Sequence, residues 1–259
     1  MELTVSSGLG IGTSPAALVA HGIDTTVVEI DPAVHELALK HFNLPHNHTA
    51  VIEDAVAYTS RLADDTDGRR FDYIVHDVFT GGAEPIPLFT LEFLQSLNTL
   101  LKPNGAIVIV SFSSNICDIV LTVLQNFAGD FMLTPIKAVM HTIREVFPSC
   151  RVFREHIKDD LLVEKEGHDF VNVVVFCTKL SEPVTLRKPI YTDFLNSESR
   201  KQFLEPVFEV FDADFLSKDE VRPVRNNDTE QLSKYHQQSA LGHWEVMRRV
   251  MPPSVWESW

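Results

Sequence analysis

No stretch of this 259-residue chain reaches the roughly 18 consecutive apolar residues of a membrane-spanning helix. Its N-terminus also lacks the layered charged, apolar and small-residue pattern of a secretory leader. Basic residues are scarce: 22 Lys and Arg stand against 36 Asp and Glu, a formal net charge of -14, with no basic run. A phosphate backbone or an anionic membrane surface would repel such a chain. Nucleic-acid and membrane partners are therefore not expected, while neutral and cationic substrates are. Cys117, Cys150 and Cys177 are the only cysteines, odd in number and irregular in spacing. That argues against a disulfide framework and for a reducing, cytoplasmic setting. His35, His41, His46 and His48 lie near one another, but at no zinc-ligand spacing and with no cysteine beside them, so no metal site is expected. There is no internal repeat and no low-complexity segment.

What is present is a regular alternation. "ELTVSS" reads as a short strand, "SPAALVAHG" as a helix capped by Ser14 and stopped at Gly22, and "TTVVEID" as a buried strand. "PAVHELALKHF", "TAVIEDA", "AVAYTSRLA" and "FDYIVHDVF" continue as helix, strand, helix and strand. "LFTLEFLQSLNTLLKPNG" is a periodic helix closed by a Pro-Asn-Gly turn, and "AIVIV" is a fifth strand. Five strand–helix alternations with short joints specify an α/β fold, a Rossmann-like doubly wound and mostly parallel sheet covered on both faces. "CRVFREH" and "FVNVVVFCTK" can add an antiparallel pair. From Ser181 the chain turns irregular and proline-rich before a last helix, "QLSKYHQQSALGHWEVMRRV". Residues 1–180 are thus expected to form the main domain and 181–259 a C-terminal helical cap, with Trp244, Trp256 and Trp259 packing it down.

The chemistry is concentrated at strand ends. In "SGLGIGT", Gly8, Gly10 and Gly12 alternate between a strand and a helix, where backbone N–H groups and a helix N-terminus can approach a ligand. A dinucleotide fingerprint needs its third glycine one position later. The spacing here is that of S-adenosylmethionine (SAM) users, whose loop faces an amino-acid tail. Glu29 ends the second strand, where a carboxylate can accept two ribose hydroxyls. Asp54 ends the third, where it can reach an adenine amino group or cap the following helix. Asp77 ends the fourth, beside Gly81 and Gly82, and can orient or deprotonate a nucleophile or simply bond that loop.

Taken in order, "GLGIGT", "VVEIDP", "IEDA" and "HDVFTGGAEPIPLFTLEFL" resemble the spermidine synthase superfamily, in particular its spermidine-synthase-like branch. The ending "QSALGHWEVMRRVMPPSVWESW" is similar to that of fungal proteins in the group. The resemblance implies a class I SAM-dependent methyltransferase fold and SAM or decarboxylated SAM as cofactor. It also implies Gly8, Gly10, Gly12, Glu29 and Asp54 as cofactor-binding residues and Asp77 as catalytic residue.

Polyamine synthases of this superfamily keep an aspartate in the glycine loop and a second one three residues after the strand-four aspartate. This chain has Ile11 and Thr80 there. Desolvated ammonium groups need close carboxylates. Methyl transfer to a small-molecule or protein acceptor, an amine among the candidates, is therefore the first expectation. Aminopropyl transfer in polyamine biosynthesis and a non-catalytic binding role are the alternatives. Whether the chain forms a homodimer stays open. The first strand begins almost at the first residue, so membrane association through a missing upstream segment is the alternative localisation. One segment stands out, "VSFSSNICDIVLTVLQ" (110–125): Val-Ser can be encoded by GTAAGT and Gln by CAG, the ends of an intron. Its removal would join "AIVI" to "NFAGD", and we treat it as a candidate retained intron.

Overall fold

The structure is a computed structural model that describes residues 2–66, 68–78, 85–110, 128–212, 221–235, 237, 240 and 241. Among the described residues the sheet has nine strands: β1 (Leu3–Ser7), β2 (Asp24–Glu29), β3 (Thr49–Ile52), β4 (Phe71–His76), β5 (Leu101–Val110), β6 (Ala128–Asp130), β7 (Ser149–Arg154), β8 (Phe170–Thr178) and β9 (Phe208–Val210). They run in the order β3-β2-β1-β4-β5-β8-β7-β9, with β6 also on β8. β1 to β5 pair in parallel, and β8 is antiparallel to β5, β6 and β7. The helices are α1 (Thr13–Ala20), α2 (Pro32–His41), α3 (Ala55–Ala63), α4 (Leu91–Leu100), α5 (Thr134–Val146), α6 (Asp160–Glu166), α7 (Glu198–Phe203) and α8 (Glu230–Ser233).

Pleating divides the core. Val27 and Val28 are both buried but belong to different clusters, because successive strand residues face opposite sides. Val27 joins Leu9, Ala38 and Leu44 beneath α2. Val28 joins the larger cluster, where Phe71 and Ile74 meet Leu94, Leu97 and Leu100 of α4 and Ile143 of α5. The apolar residues of α4 recur every third position, one stripe of a 3.6-residue helix, and Thr90 caps its first turn by accepting from Phe93 N.

Several boundaries differ from expectation. The long helix expected from Leu88 is interrupted at Thr90, whose extended backbone (φ -76°, ψ 153°) separates a 3₁₀ turn (Ile86–Phe89) from α4, which it caps. β5 starts at Leu101, and the Pro103–Gly105 turn bulges out where the β4–β5 register shifts. Beyond Ser181 the chain is more than a helical cap. β9 adds an edge strand to β7, tied by a bidentate Arg151–Glu209 pair at 2.7 Å, and Val224 is fully buried with its N–H on Thr142 Oγ1 at 2.8 Å. Most of the last helix and all three tryptophans lie outside the described residues, as do Thr80, Gly81, Gly82 and residues 111–127.

The cysteine reading needs correction. Cys150 on β7 and Cys177 on β8 are register partners with Cα atoms 4.1 Å apart, and they form a disulfide. Sequence spacing could not show this, because the two meet only once the sheet is assembled. Cysteine usage therefore no longer argues for a reducing compartment. No described helix is long and apolar enough to cross a membrane.

Candidate active site at the carboxyl edge

From β1 the chain winds outward through β2 and β3, then returns to β4 and β5 on the other side of β1. The loops after β1 and β4 therefore leave in opposite directions and open a crevice at the carboxyl edge, the usual ligand position in open α/β sheets. Three backbone bonds shape its floor. Gly8 N donates to Val28 O at 3.0 Å, Asp77 N donates to Ser7 O at 2.9 Å, and Gly12 N donates to Leu9 O at 2.9 Å. Gly8, Gly10 and Gly12 all have positive φ (85°, 54° and 86°). At Gly8 the requirement is also steric: a Cβ would stand 2.0 Å from the Asp77 carbonyl oxygen.

Because Gly12 takes the left-handed turn, α1 begins at Thr13 and Ser14 falls inside its first turn. Ser14 is thus not the cap that was expected. No side chain caps this helix, so its first-turn amides and positive end remain for a ligand. The Ser14 hydroxyl instead donates to Asp77 Oδ2 at 3.3 Å. Glycine loop, helix start and the half-buried Asp77 are thereby one connected unit.

Glu29 is buried and also contacts this unit. Its Oε2 accepts from Leu9 N (3.1 Å) and its Oε1 from Asp31 N (3.0 Å), pinning the glycine loop to the β2–α2 turn. A carboxylate has about four acceptor positions, so two remain for ligand hydroxyls. Asp54 is the N-cap of α3, its Oδ1 accepting from Ala57 N at 2.9 Å, which leaves Oδ2 outside the cap. It lies on the same edge, tied to Glu29 through the β2–β3 pairing and through Glu53 N on Glu29 O (3.1 Å). Beside these acids stand two apolar side chains that sequence reasoning passed over. Ile30 is 67% exposed and Ile52 46% exposed, offering an apolar platform at the strand ends.

His76 was also missed. It is 1% exposed, packed against Phe89 and Phe93 with ring centroids 5.4 Å away. Its Nε2 donates to Leu88 O (3.1 Å), which leaves Nδ1 to accept from the Ser7 hydroxyl (3.3 Å). His76 thus ties the residue before Asp77 to β1 and to the far side of the loop that follows. The pleat was the available signal, since His76 lies two residues beyond buried Ile74 on the same face. Burial pushes its pKa down to about 4. Between pH 6.5 and 4 the unfolded chain takes up a proton that the native state refuses, so stability falls with pH by about 3 kcal/mol across that window. In His76→Asn that portion of the slope should vanish. Urea unfolding of both proteins at pH 7 and 4.5 checks it, and parallel profiles would count against it.

His35 Nε2 and His48 Nε2 lie 2.9 Å apart, and His48 Nδ1 contacts Pro45 O. Among the described residues no three His, Cys, Asp or Glu side chains converge to hold a metal.

This architecture recurs in solved structures. A probable spermidine synthase from Corynebacterium glutamicum superposes with a TM-score of 0.59 at 17% identity, over 87% of this chain and 72% of that one. Human methyltransferase-like protein 13, in complex with SAH, gives 0.53 at 21% identity, over 84% and 88%. The fold is the Rossmann-like fold of class I SAM-dependent methyltransferases. Residues 10–158 match the spermine/spermidine synthase domain, more than half of the chain, and the protein belongs to that family. An N-terminal histidine N-methyltransferase of Emericella nidulans is 45% identical over 264 aligned residues, 97% of this chain and 43% of that protein. A polyamine aminopropyltransferase of Vibrio vulnificus is 34% identical over 112 residues, 42% of this chain and 37% of that protein. The chain thus spans less than half the length of these curated relatives.

Proposed function

We propose that this chain is the catalytic domain of a SAM-dependent methyltransferase that modifies the N-terminal histidine of a protein. The observation that carries this reading is the 45% identity, over 97% of this chain, with the fungal N-terminal histidine N-methyltransferase. The local chemistry supports it. Ile11 and Thr80 stand where polyamine synthases keep carboxylates for a di- or tri-cation, and the match to the aminopropyltransferase covers only 42% of the chain.

The residues present fit the cofactor. The uncapped start of α1 behind Gly8, Gly10 and Gly12 offers N–H groups to a carboxylate tail. Glu29 retains acceptor positions for ribose hydroxyls, and Asp54 Oδ2 together with Ile30 and Ile52 suits a purine. SAM, when bound, supplies a methyl group activated by its cationic sulfur. Asp77, steadied by Ser14, accepts an N–H of the acceptor imidazole and so selects the tautomer whose other nitrogen carries the lone pair. That nitrogen would be the one left free to accept the methyl group, and Asp77 would take the remaining ring proton.

A loop that offers backbone N–H groups and no acid favours the cofactor form that keeps its carboxylate. The protein is expected to bind SAM at least about tenfold more tightly than decarboxylated SAM, a difference of only about 1.4 kcal/mol. Competitive calorimetry measures this, together with mass spectrometry of a His-initiated peptide incubated with SAM. Preference for the decarboxylated form, with turnover of putrescine, would make the chain an aminopropyltransferase.

A further inference from the structure

β5 and β6 share one line of the sheet although sixteen or more residues separate their registers on β8. β5 pairs with β8 from Ala106↔Thr178 to Val110↔Val174, and β6 pairs with the same strand from Ala128↔Asn172 to Asp130↔Phe170. Both lie on the same edge of β8: β7 occupies the other edge, where Asn172 O accepts from Glu155 N at 3.1 Å. Two residues beyond Val110↔Val174, an unbroken antiparallel ladder would set residue 112 opposite Asn172. The residue found there is Ala128, sixteen positions later.

Sixteen is also the length of the segment delimited by the codon argument, Val110 to Gln125. With it removed, Ile109↔Val175 would be followed by Asn126, Phe127 and Ala128 opposite Val174, Val173 and Asn172, with no slip. Side-chain alternation agrees, because an even offset keeps Phe131 on the face of Ile107 and Ile109, and all three sit in the main core cluster. The far end is well seated, with Phe131 N donating to Asp169 O (3.0 Å) and Asp169 N to Asp130 Oδ1 (2.9 Å).

The break falls at a consequential level. His76 pairs with Ile109 across β4 and β5, so residue 110 stands level with Asp77. We infer that residues 110–125 are an insertion into a single strand, and that the competent enzyme is the chain in which Ile109 is joined directly to Asn126. The strand assignment rests on register alone, and the word competent rests on the methyl-transfer reading above.

Three chains test it: the full 259 residues, one lacking 110–125, and one lacking only 110–124. The sixteen-residue deletion should melt at least about 5 °C above the full chain, since it restores a continuous ladder with no intervening residues to order. It should also methylate a His-initiated peptide at least about tenfold faster. The fifteen-residue deletion should melt below both, because a one-residue slip turns every following side chain to the wrong face. A sixteen-residue deletion melting at or below the full chain, or two deletions that behave alike, would overturn the strand assignment. Equal turnover by the full and the sixteen-residue-deleted chains would overturn the claim of competence. The melting order needs no ligand, so failure of all three chains to methylate would count against the functional reading while the register result stood.

Discussion

A Gly8→Ala variant is expected to lose at least about 3 kcal/mol of stability and with it the assembled crevice. Two separate costs meet at this residue. Its φ of +85° lies where an L side chain is strained by about 1–2 kcal/mol. A methyl there would also stand 2.0 Å from the Asp77 carbonyl oxygen, which is backbone and cannot swing aside. The contact can be relieved only by pulling β1 and β4 apart, at the point where Asp77 N binds Ser7 O. Gly22→Ala separates the two costs: φ is again positive at +77°, but nothing lies within 4 Å of a Cβ. That control should lose only about 1 kcal/mol, a drop of roughly 2–4 °C in a domain of this size, against roughly 6–12 °C for Gly8→Ala. Equal losses at the two positions would show that the approach of β4 is not what demands glycine.

The positions of the strand-end loops could be read from the sequence because each follows a run of residues that favour strands. "TVV" before Glu29 and "YIV" before His76 and Asp77 mark strand ends, and the helices between them force parallel pairing. The details that failed depend on atoms brought together from a distance. Local rules make Ser14 a cap, but the left-handed turn at Gly12 moves it inside the helix and towards an aspartate 63 residues away. Cys150 and Cys177 met because β7 and β8 are paired, a register that no spacing encodes. Its strand-end position marks Glu29 as a ligand group or a solvated acid, whereas in the fold it also fastens Leu9 and Asp31. Its replacement would therefore disturb the loop as well as any ligand.

These links leave Asp77→Asn as the cleanest separation of chemistry from architecture. Asparagine matches the shape of aspartate, and its amide oxygen can still accept the Ser14 hydroxyl that reaches Oδ2 at 3.3 Å. The backbone at this position, with its N–H on Ser7 O and its carbonyl against Gly8, is unchanged by the substitution. Melting temperature and SAM affinity should therefore stay near wild type. The amide cannot take a proton, and on the proposed mechanism it can no longer fix the imidazole tautomer through an accepted N–H of full charge-assisted strength. Loss of a positioned general base corresponds to about 10²–10⁴-fold in turnover, so kcat for a His-initiated peptide should fall by that factor while KM for SAM holds. Ser14→Ala, which leaves the carboxylate in place but unsteadied, should lower kcat far less, and Ser14→Thr should restore it. A small loss in Asp77→Asn, or a fall in SAM affinity as large as the fall in kcat, would move Asp77 from the reaction to the scaffold of the loop.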